Sequence, residues 1–368
     1  MNSQLAILKC DSYSPSLISE TIDKLFELLG GIERFVKRGE KVLIKPNLLS
    51  AALPEKGITT HPLIVKEIAR RFKEKQAEVF IGDSPGGGVN IEEVYEKTGM
   101  KKIAGDLGIE LVKFNRIRKI KNYPIAEIVL ECDRFISLPK LKTHSLMIIT
   151  GGIKNSFGLV PGVYKTELHL EFPRPKDFSR VLVDIFSIRP PDLVVIDGIV
   201  SMAGEGPTGG ILRNTGVILG SSDAVAVDSV LAKLMGLNPF KISTIYEAYR
   251  RGLGEIEKIE VLGEDFKSLL FKDFPLPRSS FLNMIPQKVL KLGGNLLRTF
   301  PAIDNKICKR CKICFDNCPA KAIKIINGKL VIDYGLCIKC LCCYEFCPHR
   351  AIFLHKGFLL KLLDLVRK

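Results

Sequence analysis

CKRCKICFDNCP at residues 308–319 is followed by CIKCLCCYEFCP at residues 337–348, one CxxCxxCxxxCP pattern written twice at an offset of 29 residues. Three thiolates on one tight loop cap three corners of an iron–sulfur cubane, whereas the fourth corner points away and needs a ligand from elsewhere. Pro319 and Pro348 keep the fourth cysteines from being absorbed into a regular helical turn. Zinc competes for repeated CxxC pairs, but zinc sites take four ligands per metal and rarely show a triple run followed by CP. Disulfides fit less well. The start, MNSQLAILKCDSYSP, lacks a basic region followed by an apolar run and a cleavage site, and eight cysteines this regular without a secretory signal read as metal ligands.

The spacing resembles that of bacterial-type two-cluster ferredoxins, in which the fourth cysteine of each run reaches across to the other cluster. On that pattern Cys308, Cys311, Cys314 and Cys347 hold one 4Fe-4S cluster, while Cys337, Cys340, Cys343 and Cys318 hold a second. Cys342 falls at the wrong offset, and Cys10 and Cys132 lie on or beside candidate strands, so all three are expected to be packed thiols. The cofactor expectation is two 4Fe-4S clusters, and the functional expectation is a protein that moves or senses electrons.

Working outward, residues 303–355 form the small α+β ferredoxin-like unit, each half a cluster loop followed by a short helix and a hairpin. Residues 356–368 carry Leu and Val at helical spacing between Lys and Arg, an amphipathic tail that at about 12 residues is expected to pack on its own protein rather than on a membrane. Upstream, residues 272–302 are rich in Pro and Leu and read as a connector. The chain of 368 residues carries 55 Lys and Arg against 40 Asp and Glu, a formal charge of +15. From Ile303 onward thirteen Lys and Arg face five Asp and Glu, so over half the excess sits beside the clusters. Two oxidised clusters with their thiolates carry about four negative charges, and much of the basic excess reads as counter-charge. With no Trp and no interleaved Arg and aromatic platform, nucleic acid is not the expected partner. No run of about 18 apolar residues occurs, so no transmembrane segment is expected and the default location is the cytoplasm.

Residues 1–271 alternate apolar β-branched runs with helical patterns, the signature of a layered, mostly parallel α/β domain. Strands are expected at 4–9, 41–44, 78–81, 110–114, 134–138, 193–196, 217–220 and 258–262. Helices are expected at 16–29, 62–74, 91–98, 176–188, 224–235 and 243–251. Four strand ends lead into unusual polar sequence: IKPNL (44–48) with THP (60–62), IGDSPGGG (81–88), SLPKLKTH (137–144) with GGIKNSFG (151–158), and IDG (196–198) before the glycines at 204–210. In an open parallel sheet such ends converge on one crevice. Lys45, Lys140, Lys142 and Lys154 are candidates to bind a carboxylate or phosphate, with glycine turns adding backbone amides. His61 and His144 are the proton-transfer candidates, with Asp83 and Asp197 to orient them or hold a cation. Solvated lysines and ordinary turns are the bland alternatives, and neither glycine run matches a Walker or dinucleotide fingerprint. His169 and His355 lie outside these loops and are expected to be structural.

KPN (45–47), THP (60–62), GDSPG (82–86), LPKLKTH (138–144) and GIKN (152–155) together resemble the domain of unknown function 362 family, many of whose members end in the same double ferredoxin module. The resemblance covers residues 5–265, with the ferredoxin likeness over 303–355. It implies an iron–sulfur protein with an anion pocket and names no substrate. Two functions follow as expectations. One is an iron–sulfur oxidoreductase passing electrons to or from an anionic small molecule, with Lys140, Lys142, His144 and His61 as catalytic candidates and Lys45, Asn47, Asp83, Lys154, Asn155 and Asp197 as substrate-binding candidates. The other is an electron carrier or redox-responsive protein that docks a partner, such as a redox protein or ferredoxin, without its own catalysis.

Overall fold

The apolar runs of the first part are continuous because both faces of the sheet they build are covered. Val42 and Ile44 pack into one core layer and Leu43, between them, into the layer on the opposite face, all fully buried. Val195 and its neighbours Val194 and Ile196 divide in the same way. The computed structural model describes residues 2–277 and 299–356. The amphipathic tail expected after residue 356, and the connector between residues 278 and 298, lie outside the described residues.

The strands are β1 (Ser3–Lys9), β2 (Lys41–Pro46), β3 (Glu78–Gly82), β4 (Glu110–Val112), a small hairpin β5–β6 (Ile117–Ile120, Tyr123–Ala126), β7 (Arg134–Leu138), β8 (Lys140–His144), β9 (Ile148–Thr150), β10 (Leu193–Ala203), β11 (Ile211–Ser221) and β12 (Ile259–Gly263). Ten of them form one sheet in the order β12-β1-β11-β10-β7-β2-β3-β4, with β8 beside β10 and β9 beside β8. The run from β10 to β4 is parallel throughout. β11 lies antiparallel to both β1 and β10, which makes the sheet mostly rather than wholly parallel. Flanking helices start where the sequence caps them. The helix Pro62–Glu74 has proline in its first turn and the His61 ring accepting from the Leu63 amide, and Asp223 accepts from the Val225 and Ala226 amides to open Ala224–Leu234.

One expected loop is a strand. Lys140 to His144 forms β8, which starts after Pro139 and sets Lys140 against Asp197 and Lys142 against Met202 of β10. Alternation along a strand puts Lys140, Lys142 and His144 on one side and Leu141 and Thr143 on the other. All five are buried.

The cysteine-rich part is a small unit with internal two-fold repetition. Strand β13 (Thr299–Ile303), inside the stretch read as connector, pairs with β16 (Ile352–Lys356), and β14 (Ile323–Ile326) pairs with β15 (Lys329–Ile332). Arg310, Lys312 and Lys321 have positive φ, and so do Lys339, Leu341 and Arg350, each 29 residues further on. Asp304 donates its amide to Ala351 and Asp333 to Ala322, so the halves interlock by exchange.

Candidate functional site

The repeat gathers the cysteines into two groups. Cys308, Cys311, Cys314 and Cys347 line one small cavity with Ile303, Leu330 and Ile352. Cys318, Cys337, Cys340 and Cys343 line a second, with Ile323, Ile332 and Leu341. These are the two crossed sets that the spacing suggests. Four thiols around one small cavity are the donor set that an iron–sulfur cubane takes. Backbone amides already face sulfur: Arg310 to Cys308 Sγ at 3.4 Å, Ala322 to Cys318 Sγ at 3.2 Å and Ala351 to Cys347 Sγ at 3.3 Å. Such bonds stabilise the anionic core of a bound cluster. The residues present therefore fit the group.

In the α/β part the strand ends converge as expected, but the charged residues divide into two clusters. Lys45, Asn47, Asp83, Lys154 and Asn155 border one cavity of about 60 Å³. Lys45 pairs with Asp83 at 2.8 Å and donates to Asn155 Oδ1 at 3.1 Å, both ions buried. Asp83 also accepts the Leu48 and Ser84 amides. Burial holds the Lys45 ammonium below its ordinary range, opposed by the Asp83 charge. Burial lowers the Lys154 pKa too, opposed by the Glu345 charge.

The second cluster is closed on itself. Lys140 donates to Asp197 Oδ2 at 2.9 Å and to the Tyr13 hydroxyl at 2.6 Å, and Tyr13 donates to Asp197 Oδ1 at 2.8 Å. The His61 amide completes the carboxylate's set at 2.8 Å, while its ring stacks on Tyr13 with centroids 3.7 Å apart. Burial brings His61 to about 4 despite the Asp197 charge, so its ring is neutral at physiological pH. Lys142 lies between the clusters and donates to Asn47 Oδ1 at 2.8 Å and to the Ile58 carbonyl at 2.7 Å; burial, aided by Lys154, lowers it to about 7.

The cysteine-rich unit itself contributes to the wall of this cavity. The short helix Cys342–Phe346 puts Glu345 and Phe346 into the cavity lining. Tyr344 donates its hydroxyl to the Glu205 carbonyl, Thr208 donates to the Tyr344 carbonyl at 3.2 Å, and Gly88 donates its amide to Asn317 Oδ1 at 2.7 Å. A Cβ at Gly86 would fall on the Phe346 ring, which is the close approach that glycine permits there. His144 Nδ1 accepts from the Leu146 and Met147 amides, so the neutral ring carries its proton on Nε2. That nitrogen lies 3.1 Å from Glu345 Oε1 but is not aligned with it, and both atoms are buried without a hydrogen-bond partner. Burial lowers His144 to about 4. Burial pushes the Glu345 carboxyl up, and its pairing with His144 together with the Lys154 charge brings it below the usual range.

Several cavity residues escaped the sequence reading. Lys165 donates to the Ser84 carbonyl and is lowered to about 7 by burial. His169, expected to be structural, does stack on Phe178 with centroids 4.1 Å apart, yet it also lines the cavity. Asp228 anchors the GGIKN turn by accepting the Gly152 amide at 2.6 Å and the Ile153 amide at 3.1 Å. A lone acid in the otherwise apolar run AVAVDSVLAKL was the available signal for it. Glu345 sits inside a cysteine run and gave no signal of its own. Cys10, Cys132 and Cys342 are buried outside both sets of four, as packed thiols.

The sequence profile of the family described as "Domain of unknown function (DUF362)" matches residues 42–233, and that of a 4Fe-4S dicluster domain matches residues 300–348. The chain is 34% identical over 260 residues to "Thylakoid-associated protein sll1697" of Synechocystis sp., covering 69% of this chain and 81% of that one. A solved lactate racemase apoprotein from Thermoanaerobacterium thermosaccharolyticum is similar at a TM-score of 0.38 and 15% identity, over 60% of this chain and about half (54%) of that chain, too distant to carry an argument. No described helix is long and apolar enough to cross a membrane. With the KPN, GDSPG and GIKN motifs meeting at one cavity and the cysteines in two sets of four, the chain is an iron–sulfur protein that belongs to the DUF362 family.

Proposed function

We propose that this chain is an iron–sulfur oxidoreductase that passes single electrons to or from an anionic small molecule held in the α/β crevice. One observation carries the reading: Glu345 and Phe346, which line the crevice, lie in sequence between Cys343 of one four-cysteine set and Cys347 of the other. Two 4Fe-4S clusters held by those cysteines supply or accept one electron at a time. The chain's own residues do the rest. Lys154 and Lys165 offset substrate charge, and the Lys45–Asp83 pair with Asn47 and Asn155 fixes the crevice floor. Lys142 meets Asn47 from behind. His144, with its proton at Nε2, is the donor set against Glu345 of the crevice lining. Lys140, His61 and Asp197 act as positioning residues, because their polar atoms are spent on one another and on Tyr13.

The test is anaerobic purification with iron and sulfide analysis, followed by incubation of the reduced protein with a panel of small carboxylates and phosphates. About eight irons per chain and consumption of one panel member support the reading. The full iron content with no member consumed overturns the catalytic part. One observation favours the carrier reading instead: Cys311 is exposed, which gives an external redox protein a direct approach. If Lys154→Ala leaves every anion-induced shift in melting temperature untouched, the carrier reading stands and the crevice reading fails.

A further inference from the structure

The two halves of the cysteine-rich unit are alike in backbone and unlike in surface. In the first half Lys309, Arg310, Cys311 and Lys312 are all exposed; their counterparts 29 residues on are Ile338, Lys339, Cys340 and Leu341, half-buried or buried. Lys339 lies over the Phe300 ring at 4.4 Å, whereas the first-half cations point to solvent. His349 and Arg350, beside Cys347 of the same set of four, are exposed as well, and so is Lys306. Among the described residues Lys324 pairs with Asp333, whereas Lys306, Lys309, Arg310, Lys312 and Arg350 have no ion-pair partner. Within this rim Ile307 is 48% and Phe315 39% exposed. Asp316 is the exposed acid nearby.

We infer that this basic rim around the first four-cysteine set is the docking surface for a small acidic one-electron carrier protein. Unpaired exposed cations attract an acidic partner over about 10 Å at 0.1 M salt and speed encounter. Ile307 and Phe315 supply the apolar centre that such contacts share. The matching loop of the second half, Ile338 to Leu341, is half-buried or buried and its one cation lies over Phe300, so it offers no comparable basic rim. Electrons are therefore exchanged with the carrier at the first set, one per encounter, the carrier losing the electron that the chain gains. A phosphate backbone would also meet these cations, but it gains nothing from centring on a cysteine that holds iron. The inference concerns the entry surface and stands whether or not the crevice performs chemistry.

The experiment measures binding of the iron-loaded full chain to an acidic plant-type ferredoxin, to basic cytochrome c and to a single-stranded RNA oligomer, at about 50 and about 300 mM salt. The expected result is binding to the acidic ferredoxin that weakens about tenfold or more with salt and again in the Lys309→Glu, Arg310→Glu, Lys312→Glu variant, with unchanged iron content. Since Arg310 and Lys312 occupy left-handed backbone, the exposed Lys306→Glu change is the control that leaves the loop alone and weakens binding by a smaller factor. No binding, binding indifferent to salt and to both variants, or tighter binding of cytochrome c or RNA would overturn it.

Discussion

The first and second cysteine loops share a backbone, down to matching left-handed residues at Arg310, Lys312 and Lys321 against Lys339, Leu341 and Arg350, yet they face opposite worlds. Lys312 and Asp316 are exposed where Leu341 and Glu345 are buried, and Phe315 is 39% exposed where Tyr344 is 5%. Equivalent folds thus carry unequal duties. The first half is built to be approached, and the second is built as one wall of a cationic crevice.

The largest effects come from removing one thiol on each side. Cys311→Ser and Cys340→Ser each are expected to lose about half the iron, because each set of four is then incomplete. Cys340→Ser should in addition loosen the helix that carries Glu345, seen as faster amide exchange at the Gly86–Gly88 and Gly206–Gly210 turns. Equal exchange in both variants would dissolve the comparison.

Swapping the rim residues is the next strongest test. Leu341→Lys puts an ammonium at a position 4% exposed and is expected to cost about 3 kcal/mol through desolvation. Lys312→Leu, on the exposed side, should stay within about 0.5 kcal/mol. Chemical denaturation of iron-loaded protein reads both. A smaller effect is expected at Gly209, where a Cβ would fall on the Tyr344 hydroxyl, itself fixed by the Glu205 carbonyl. Gly209→Ala should cost about 1–3 kcal/mol, mostly by unseating the second half from the crevice, so the iron of the first set should be unaffected.

The smallest effect is a pH slope. Burial lowers Lys165 to about 7, against about 10.4 in an unfolded chain. Between those values the unfolded chain binds a proton that the native one lacks, so stability rises with pH across that window. Relative to Lys165→Met, the wild type should gain at most about 1.4 kcal/mol per pH unit above pH 7 and nothing below it. A flat difference would show that the ammonium stays charged beside Glu345.

How much of this was legible beforehand follows from what each signal encodes. The strands and main helices were visible because period and β-branching report local burial, and Pro62 and His61 mark a helix start directly. β8 reads as a loop in sequence because Pro139 and the three charged or titratable residues in KLKTH mask the period of two that is present. Spacing shows which three thiols each loop can present, whereas the crossing of the fourth cysteine came from the resemblance to two-cluster ferredoxins. Lys154, Lys45 and Asp83 were correctly brought to one crevice, whereas Lys140 and Asp197 satisfy each other, a pairing that depends on the register of β8 against β10. Lys165, on an ordinary-looking helix, and Glu345, inside a cysteine run, owe their places to packing between distant parts of the chain, which no local pattern records.

The most direct measurement is the EPR spectrum of the anaerobically reduced protein during titration with small anions such as formate, acetate and phosphate, compared with Lys154→Ala. An anion entering the crevice is expected to change the signal of the set holding Cys340 and Cys343 while leaving that of Cys308 and Cys311 unmoved, and Lys154→Ala is expected to abolish the change. Spectra indifferent to every anion, or two signals that shift alike, would contradict it.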